Sequence, residues 1–568
     1  MYMRTTQRRN KNGSTVRYVA LAHNRRDGDR VKAETLVNLG REDRLDVAGL
    51  RRLVGSISRY LGDEAEAPLV EGGQTGELEV IDSRPVGASW LLDGLWHRLG
   101  IAETLQGLLG ARRFTTDVER VLFALVANRA IAPSSKLAAA EWDSHDVVIP
   151  GLEAMDDDQA YRAMDLLVEA DTEGALQQAV FFAAADLLNL SVDVLLFDTT
   201  STYFETEHAD ANDDGGGGLR RRGHSKDHRG DLPQIVIGLA VTREGIPVRC
   251  WTWPGNTADQ SVLQQVKDDL RGWRLGRVIT VVDRGLSSDD NLAYLRRAGG
   301  HWIAGERLRD GRADHEHVLS RQGRYQQVAD NLRVKEVTLD SGDGRRWIVC
   351  HNPAEAERDA ARREDTLARL EAELDRIDTA RARTAKKKAG TKKTNEEAAH
   401  TRAECALRDH PSLGRYLRQQ KNGRLRLNRA AIDREARLDG KFLISTSDPD
   451  LPAGDVAVAY KNLLEAERGF RDLKSTLELR PVFHRLDHRI RAHVLICWLA
   501  LLLTRVAERA AGQTWPRINT ELSRVHQVTI TTDAGQATHT TSLTATQRET
   551  FAACDLKPPP RVTHLDPT

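Results

Sequence analysis

Apolar and polar positions change their rhythm several times along the chain, and each change marks a different kind of element. Residues 15–21 (TVRYVAL) and 30–39 (RVKAETLVNL) read as two short strands joined by a polar turn at 24–29. Residues 86–140 switch to helical spacing, with Trp90, Leu91, Leu95, Trp96 and Leu99 on one stripe and Gly100 as a stop. Thr116 and Glu119 have the spacing of a capping box ahead of the apolar run 121–127. From about 191 compact apolar runs take over. Residues 192–198 (VDVLLFD) form a strand ending in Asp198, and a glycine-rich, charged loop follows at 207–231. Residues 234–242 and 246–253 make an antiparallel hairpin about the turn at 243–245. A helix at 261–273, a strand at 277–283 ending in Asp283, a helix at 288–298 and a strand at 301–305 complete the series. Strands and helices in that order predict a mixed α/β sheet with helices on both faces.

The second half is less regular. Residues 334–339 and 345–350 read as another hairpin. A long helix from about 354 carries Leu367, Leu370, Leu374 and Ile377 as an amphipathic seam. A strand at 441–446 precedes a single helix over 453–475. The apolar run from Val494 to Leu503 falls well short of the roughly 18–20 residues that span a bilayer, so it predicts a buried helix. Residues 513–568 are polar and read as a peripheral tail. The expected organisation is a basic N-terminal β unit (1–75), a helical region (76–190) and a core in two parts (191–310 and 441–512). Between the two parts lies an inserted β-plus-helix subdomain (311–440).

Composition narrows the class. The chain has 568 residues, 40% of them apolar and 29% charged, which excludes wholesale disorder and a polytopic membrane protein. Its five cysteines form no CxxC pair, so neither a disulfide framework nor a zinc site is indicated. The basic N-terminal segment lacks the apolar stretch of a secretory signal, which leaves a cytoplasmic location as the expectation. Lys and Arg balance Asp and Glu at 83 each, but not locally. Residues 1–60 hold 14 basic and 6 acidic groups, and residues 381–430 hold 15 and 4. Two separated basic surfaces on a neutral chain suit a polyanion held at more than one place. The run at 386–393, with Lys386, Lys387 and Lys388, would by itself be read as a solvated, flexible segment.

Two apolar strands that deliver Asp198 and Asp283 at their C-terminal tips put both where sheets of this kind carry their sites. Adjacent carboxylates repel unless a cation neutralises them. With no histidine or cysteine ligand set nearby, oxygen donors point to Mg²⁺ or Mn²⁺ rather than zinc. On the 453–475 helix Tyr460, Glu467 and Lys474 recur every seven residues, nearly on one face. Glu467 can complete an acidic triad there, with Tyr460 and Lys474 on hand for a phosphate.

These motifs resemble a known family. DTTSTYFE at 198–205, VVDRG at 281–285 and Y-x2-L-x3-E-x6-K from Tyr460 to Lys474 resemble the DDE transposases of bacterial insertion sequences. The likeness is closest to the insertion-sequence-four superfamily, and further motifs carry it over nearly the whole chain. It implies a ribonuclease-H-like mixed sheet in which Asp198, Asp283 and Glu467 hold two Mg²⁺ or Mn²⁺ ions. It further implies cut-and-paste transposition of double-stranded DNA, with cleavage at the element's ends, strand transfer into a target, and a dimer on paired ends. Tyr460, Lys474 and Arg471 would meet DNA phosphate. Arg8, Arg9, Lys11, Arg25, Arg26, Lys226 and the lysines at 386–388 would contact DNA elsewhere. A hairpin intermediate would need an aromatic side chain against a flipped base. Trp253, Trp302 and Trp347 are within range, although each reads as core. The pattern departs at Leu463, where the family has Arg, and Lys461, Arg468 or Arg471 would have to substitute.

Two rival readings are open to test. A transposase-derived DNA-binding protein that no longer cuts would lack a competent triad, whereas all three carboxylates and Lys474 are present. A phosphotransferase with Asp198 as nucleophile requires a second aspartate at position 200, where the chain has Thr200.

Overall fold

The computed structural model describes residues 2–9, 15–27, 30–41, 79–110, 116–190, 192–210, 218–273, 275, 277–339, 344–386, 391–532 and 535–567. The acidic stretch at 62–76, most of the glycine run at 211–218, and Lys11, Lys387 and Lys388 lie outside them. Arg25 and Arg26 are described by their backbone alone.

The chain forms two compact units. The first comprises Met1–Ile81, Thr529–His539 and Arg561–Thr568. Its N-terminal sheet has three antiparallel strands, β1 (Tyr2–Arg9), β2 (Thr15–Asp27) and β3 (Arg30–Arg41), in that order. The sequence pattern predicted β2 and β3. It did not predict β1, whose residues YMRTTQRR lack apolar alternation and pair with β2 from Tyr2↔Ala22 to Arg9↔Thr15.

The second unit, Asp82–Val528 and Thr540–Pro560, is built on a nine-stranded mixed sheet. After β4 (Glu79–Pro85) its strands are β5 (Val194–Tyr203), β6 (Gln234–Thr242), β7 (Pro247–Pro254), β8 (Ile279–Val282) and β9 (His301–Glu306). Next come β10 (Gln326–Ala329), β11 (Leu332–Thr338) and β12 (Arg346–His351). The small hairpin β13 (Leu417–Gln419) and β14 (Leu425–Leu427) stands apart, and β15 (Lys441–Thr446) rejoins the sheet. The order is β10-β11-β12-β15-β9-β8-β5-β6-β7. β8 runs parallel to both β5 and β9, whereas the other pairings are antiparallel. β6 is buried throughout, which is why QIVIGLAVT reads as a continuous apolar run.

Strand alternation divides the core. One face carries Phe197, Trp251, Trp253, Val282 and Trp302. The other carries Leu196, Ile237, Val281 and Ile303, packed with the helices. On that side runs the helix Asp487–Ala511, every residue of which from Ala492 to Ala507 is buried. It is long and apolar enough to cross a membrane, yet 94% of its most apolar window is buried within the chain, as the short apolar run predicted.

Four expectations need correcting. β5 does not stop at Asp198. Its β-branched continuation TTSTY pairs with β6 as far as Tyr203↔Gln234. The hairpin at 334–350 belongs to no separate sheet: β12 pairs with β15 and extends the main one. The helix Val118–Ile131 is capped by Asp117, whose carboxylate accepts from the Arg120 amide, while Glu119 is buried against Arg120 and Trp96. The described residues after 513 are folded. They form the helices Trp515–Leu522 and Ala545–Ala553 and the strands β16 (His526–Thr532), β17 (Gly535–Thr540) and β18 (Val562–Pro567). These strands and β4 make a sheet in the order β18-β17-β16-β4. The predicted seam on the helix Pro353–Ala385 is borne out: Leu370, Leu374 and Ile377 are buried, and the helix Thr391–Arg408 packs against it.

Lys136 opens the helix Lys136–His145 and is only 2% exposed, and its ammonium has no hydrogen-bond partner among the described residues. Burial lowers its pKa to about 7, with the nearby Arg129 charge acting in the same direction. The unfolded chain therefore holds more protons between about pH 7 and pH 10.4, and this lysine makes stability rise with pH across that window. Lys136→Met is expected to raise the melting temperature at pH 7 by about 1–3 °C and to flatten that rise. A lower melting temperature would mean that the ammonium is satisfied.

Candidate active site

The parallel pairing of β5 and β8 ends at Phe197↔Val282, so Asp198 and Asp283 are the next residues on adjoining strands. Neighbouring strands lie about 4.8 Å apart. Phe197 and Val282 point into the tryptophan-rich face, and alternation sends both aspartates to the opposite one. The same side carries Ala453–Lys461 and Leu464–Ser475, two helices where the sequence predicted one. The break falls at Asn462 and Leu463. Ala466, Phe470 and Leu473 of the second helix are buried, and the helix packs on β5 and β6. Gly469 permits this approach: a Cβ there would lie 2.8 Å from a Leu239 methyl carbon. Glu467 and Arg471 are exposed.

Tyr460 links the helical segment to the aspartates. Its hydroxyl donates to Asp283 Oδ1 at 3.0 Å, and its ring stacks on Phe442. Burial and the Asp283 charge push its phenol well above the ordinary range, and Glu467 is close enough to add to the effect. Gly305 on β9 makes room for the ring, since a Cβ there would meet the phenol oxygen at 2.1 Å. Sequence reasoning missed this glycine; the signal was a glycine inside an apolar strand.

Around Asp198 the charges are interlocked. The Thr199 amide donates to Asp198 Oδ1 at 2.7 Å, and Lys226 Nζ is 3.9 Å from the same oxygen. Lys226 Nζ also donates to the Thr199 carbonyl (2.6 Å) and hydroxyl oxygen (2.7 Å) and lies 3.2 Å from Asp259 Oδ2. The Thr199 hydroxyl in turn donates to Asp259 Oδ1 at 2.7 Å. Burial pushes the Asp198 carboxyl up to about 6. Lys226 and the Thr199 amide oppose that rise, and the Asp283 and Asp259 charges add to it. Asp259, the first residue of the helix Asp259–Arg271, was not among the residues that the sequence singled out for the site.

Lys474 does not reach the aspartates. Its Nζ is 2.9 Å from Asp227 Oδ1, and Arg480 holds the other oxygen at 2.9 Å. Burial lowers the Lys474 pKa, and Asp227 partly offsets this. Asp227, Lys474 and Arg480 line a cavity of about 570 Å³ with Tyr203 and Arg229, and both arginines lie over the Tyr203 ring. Leu463 is 6% exposed and belongs to the apolar core, so an arginine there would have no room to reach a phosphate. Arg8 and Arg9 are exposed on β1, and Lys386 is exposed at the end of its helix. Trp253, Trp302 and Trp347 are all buried.

Among the described residues no three carboxylate, imidazole or thiol groups lie close enough together to ligate one ion. The donor chemistry nevertheless suits a hard divalent cation. The candidate ligands are all oxygen, and burial, with a smaller contribution from the Asp283 and Asp259 charges, raises the proton affinity of Asp198.

Residues 193–503, more than half of the chain, match the model of the transposase DDE domain, and residues 3–68 match the IS1634 family transposase N-terminal domain. The chain therefore belongs to the DDE transposases of insertion sequences and is a transposase, an enzyme that acts on DNA. Enzymes with this domain generally use divalent metal ions. Among solved structures, one similar chain is described as "Cryo-EM structure of piggyBac transposase synaptic complex with hairpin DNA (SNHP)". It shares 9% identity, covers 77% of this chain and 78% of its own, and has a TM-score of 0.33. No curated protein matches the chain.

Leu463→Arg is expected to cost about 3 kcal/mol, because an unpaired charge replaces a core side chain. A clear fall in the denaturant midpoint checks this, and unchanged stability would contradict the burial of Leu463. Gly305→Ala is expected to dislodge the Tyr460 ring and lower both the melting temperature and DNA cleavage. Wild-type behaviour would mean that the close approach is absent.

Proposed function

We propose that Asp198, Asp283 and Glu467 are the catalytic carboxylates of a ribonuclease-H-like core, and that they hold two Mg²⁺ or Mn²⁺ ions. The observation that carries this reading is the register of β5 and β8, which sets Asp198 beside Asp283 and under the segment bearing Glu467. Bound divalent ions would supply an activated oxygen nucleophile and stabilise the departing 3′ oxygen of the DNA. The chain's own residues prepare that site. Tyr460 orients Asp283 through its hydroxyl, and the Thr199 amide fixes one oxygen of Asp198. Lys474 and Arg480, now satisfied by Asp227, are the groups available to a DNA phosphate entering the cavity beside Tyr203. In this reading the enzyme hydrolyses one strand at the element's end, and the freed 3′-hydroxyl later attacks target DNA.

Residues 1–75 grip the terminal repeat through Arg8, Arg9, Lys11, Arg25 and Arg26, and residues 76–190 form the helical region. Residues 191–310 and 441–512 form the two parts of the catalytic core. The basic arm within 311–440, with Lys386, Lys387 and Lys388, holds flanking or target DNA. Phosphate contacts of this kind give affinity with little sequence information. Two copies on paired ends complete the assembly.

Asp198→Asn, Asp283→Asn and Glu467→Gln are each expected to lower Mg²⁺-dependent cleavage of labelled DNA carrying the element's ends. The loss should be about 10³-fold or more, with DNA binding retained. Undiminished cleavage in any one of them would remove that residue from the triad. Binding without cleavage by the wild type in Mg²⁺ and in Mn²⁺ would overturn the catalytic reading.

A further inference from the structure

Lys226 holds a position at odds with a role in gripping DNA. Its backbone amide donates to the Ser201 hydroxyl at 2.8 Å, so the residue is tied to β5 at both ends. Its ammonium turns inward and meets four oxygens: the Thr199 carbonyl and hydroxyl, one oxygen of Asp259, and Asp198 Oδ1 as the most distant. Asp259 is locked in turn by the Thr199 hydroxyl, so the carboxylate, the hydroxyl and the ammonium form a closed triangle. The geometry matters for charge. A cation 3.9 Å from a candidate metal ligand offsets part of its charge and repels any second cation brought to the same carboxylate.

We propose that the Lys226 ammonium, held by Asp259 and Thr199, is a resident counter-ion of Asp198 that competes with the divalent ion, so that Lys226 and Asp259 set the site's metal affinity. This rests on Asp198 being a metal ligand. Both residues are positioning residues: Lys226 steadies Asp198 before the metal enters, and Asp259 keeps the ammonium from closing fully on Asp198. Removing the ammonium should therefore tighten divalent binding. Removing the Asp259 charge should weaken it, because a negative charge is lost and Lys226 is freed to move toward Asp198.

The test is titration of the full-length, chelator-treated protein with Mn²⁺ in the absence of DNA, with free Mn²⁺ followed by electron paramagnetic resonance. Lys226→Met is expected to bind Mn²⁺ about tenfold more tightly than the wild type, the size of one pKa unit of interaction. Asp259→Asn should bind it several-fold more weakly, and Asp198→Asn should lose the site. Should Lys226→Met fold poorly by circular dichroism, Lys226→Gln keeps a polar side chain without the charge and should tighten binding in the same direction. Equal or weaker binding by the folded Lys226 variant, or tighter binding by Asp259→Asn, would overturn the competition while leaving the triad intact. A wild-type site that survives Asp198→Asn would instead overturn the assignment of Asp198 itself.

Discussion

The site depends on one short stretch of parallel pairing. β8 has four residues, and its register with β5 is fixed by Val194↔Ile279 through Phe197↔Val282. Because side chains alternate, a slip of one residue would bury one aspartate among the tryptophans and leave the other alone. The packing of Phe197 and Val282 into one face is what forces Asp198 and Asp283 onto the other. The hydrophobic effect thus holds two like charges side by side, at an electrostatic cost that the local structure must offset.

The offsets are distributed. Asp283 accepts from Tyr460, and Asp198 has the Thr199 amide and a nearby ammonium. Tyr460 reaches its partner only because β9 offers a glycine at position 305, and the helix bearing Glu467 settles onto β6 only because Gly469 lacks a side chain. Two glycines on different elements thereby set how closely the helical segment approaches the sheet. The buried helix Asp487–Ala511 backs that segment from behind. To one side, Lys474 and Arg480 share Asp227 beside a polar cavity.

Much of this was legible in the sequence because buried strands and helix seams leave direct apolar patterns. The runs at 192–198, 234–242 and 277–283 and the leucine seam from 367 to 377 were read correctly as elements. What escaped were features set by partners distant in the chain. β1 is polar and exists because β2 pairs with it, and TTSTY extends β5 because β6 continues beyond Asp198. The hairpin of β11 and β12 gave no sign that β15 would draw it into the main sheet. Neither proline nor glycine marks the helix break at Asn462 and Leu463. Among the candidate site residues, the aspartates, Tyr460 and Glu467 were singled out by motif. Asp259 and Gly305 matter through contacts that no spacing rule reveals, and Lys226, expected to contact DNA, turns toward the carboxylates.

The most direct test of the account is anomalous diffraction from crystals of the protein bound to its end DNA and soaked in Mn²⁺. The expected result is anomalous density bounded by Asp198, Asp283 and Glu467, with the scissile phosphate against it. Density elsewhere, or a Glu467 carboxylate that remains turned to solvent while Mn²⁺ is bound at the aspartates, would contradict it.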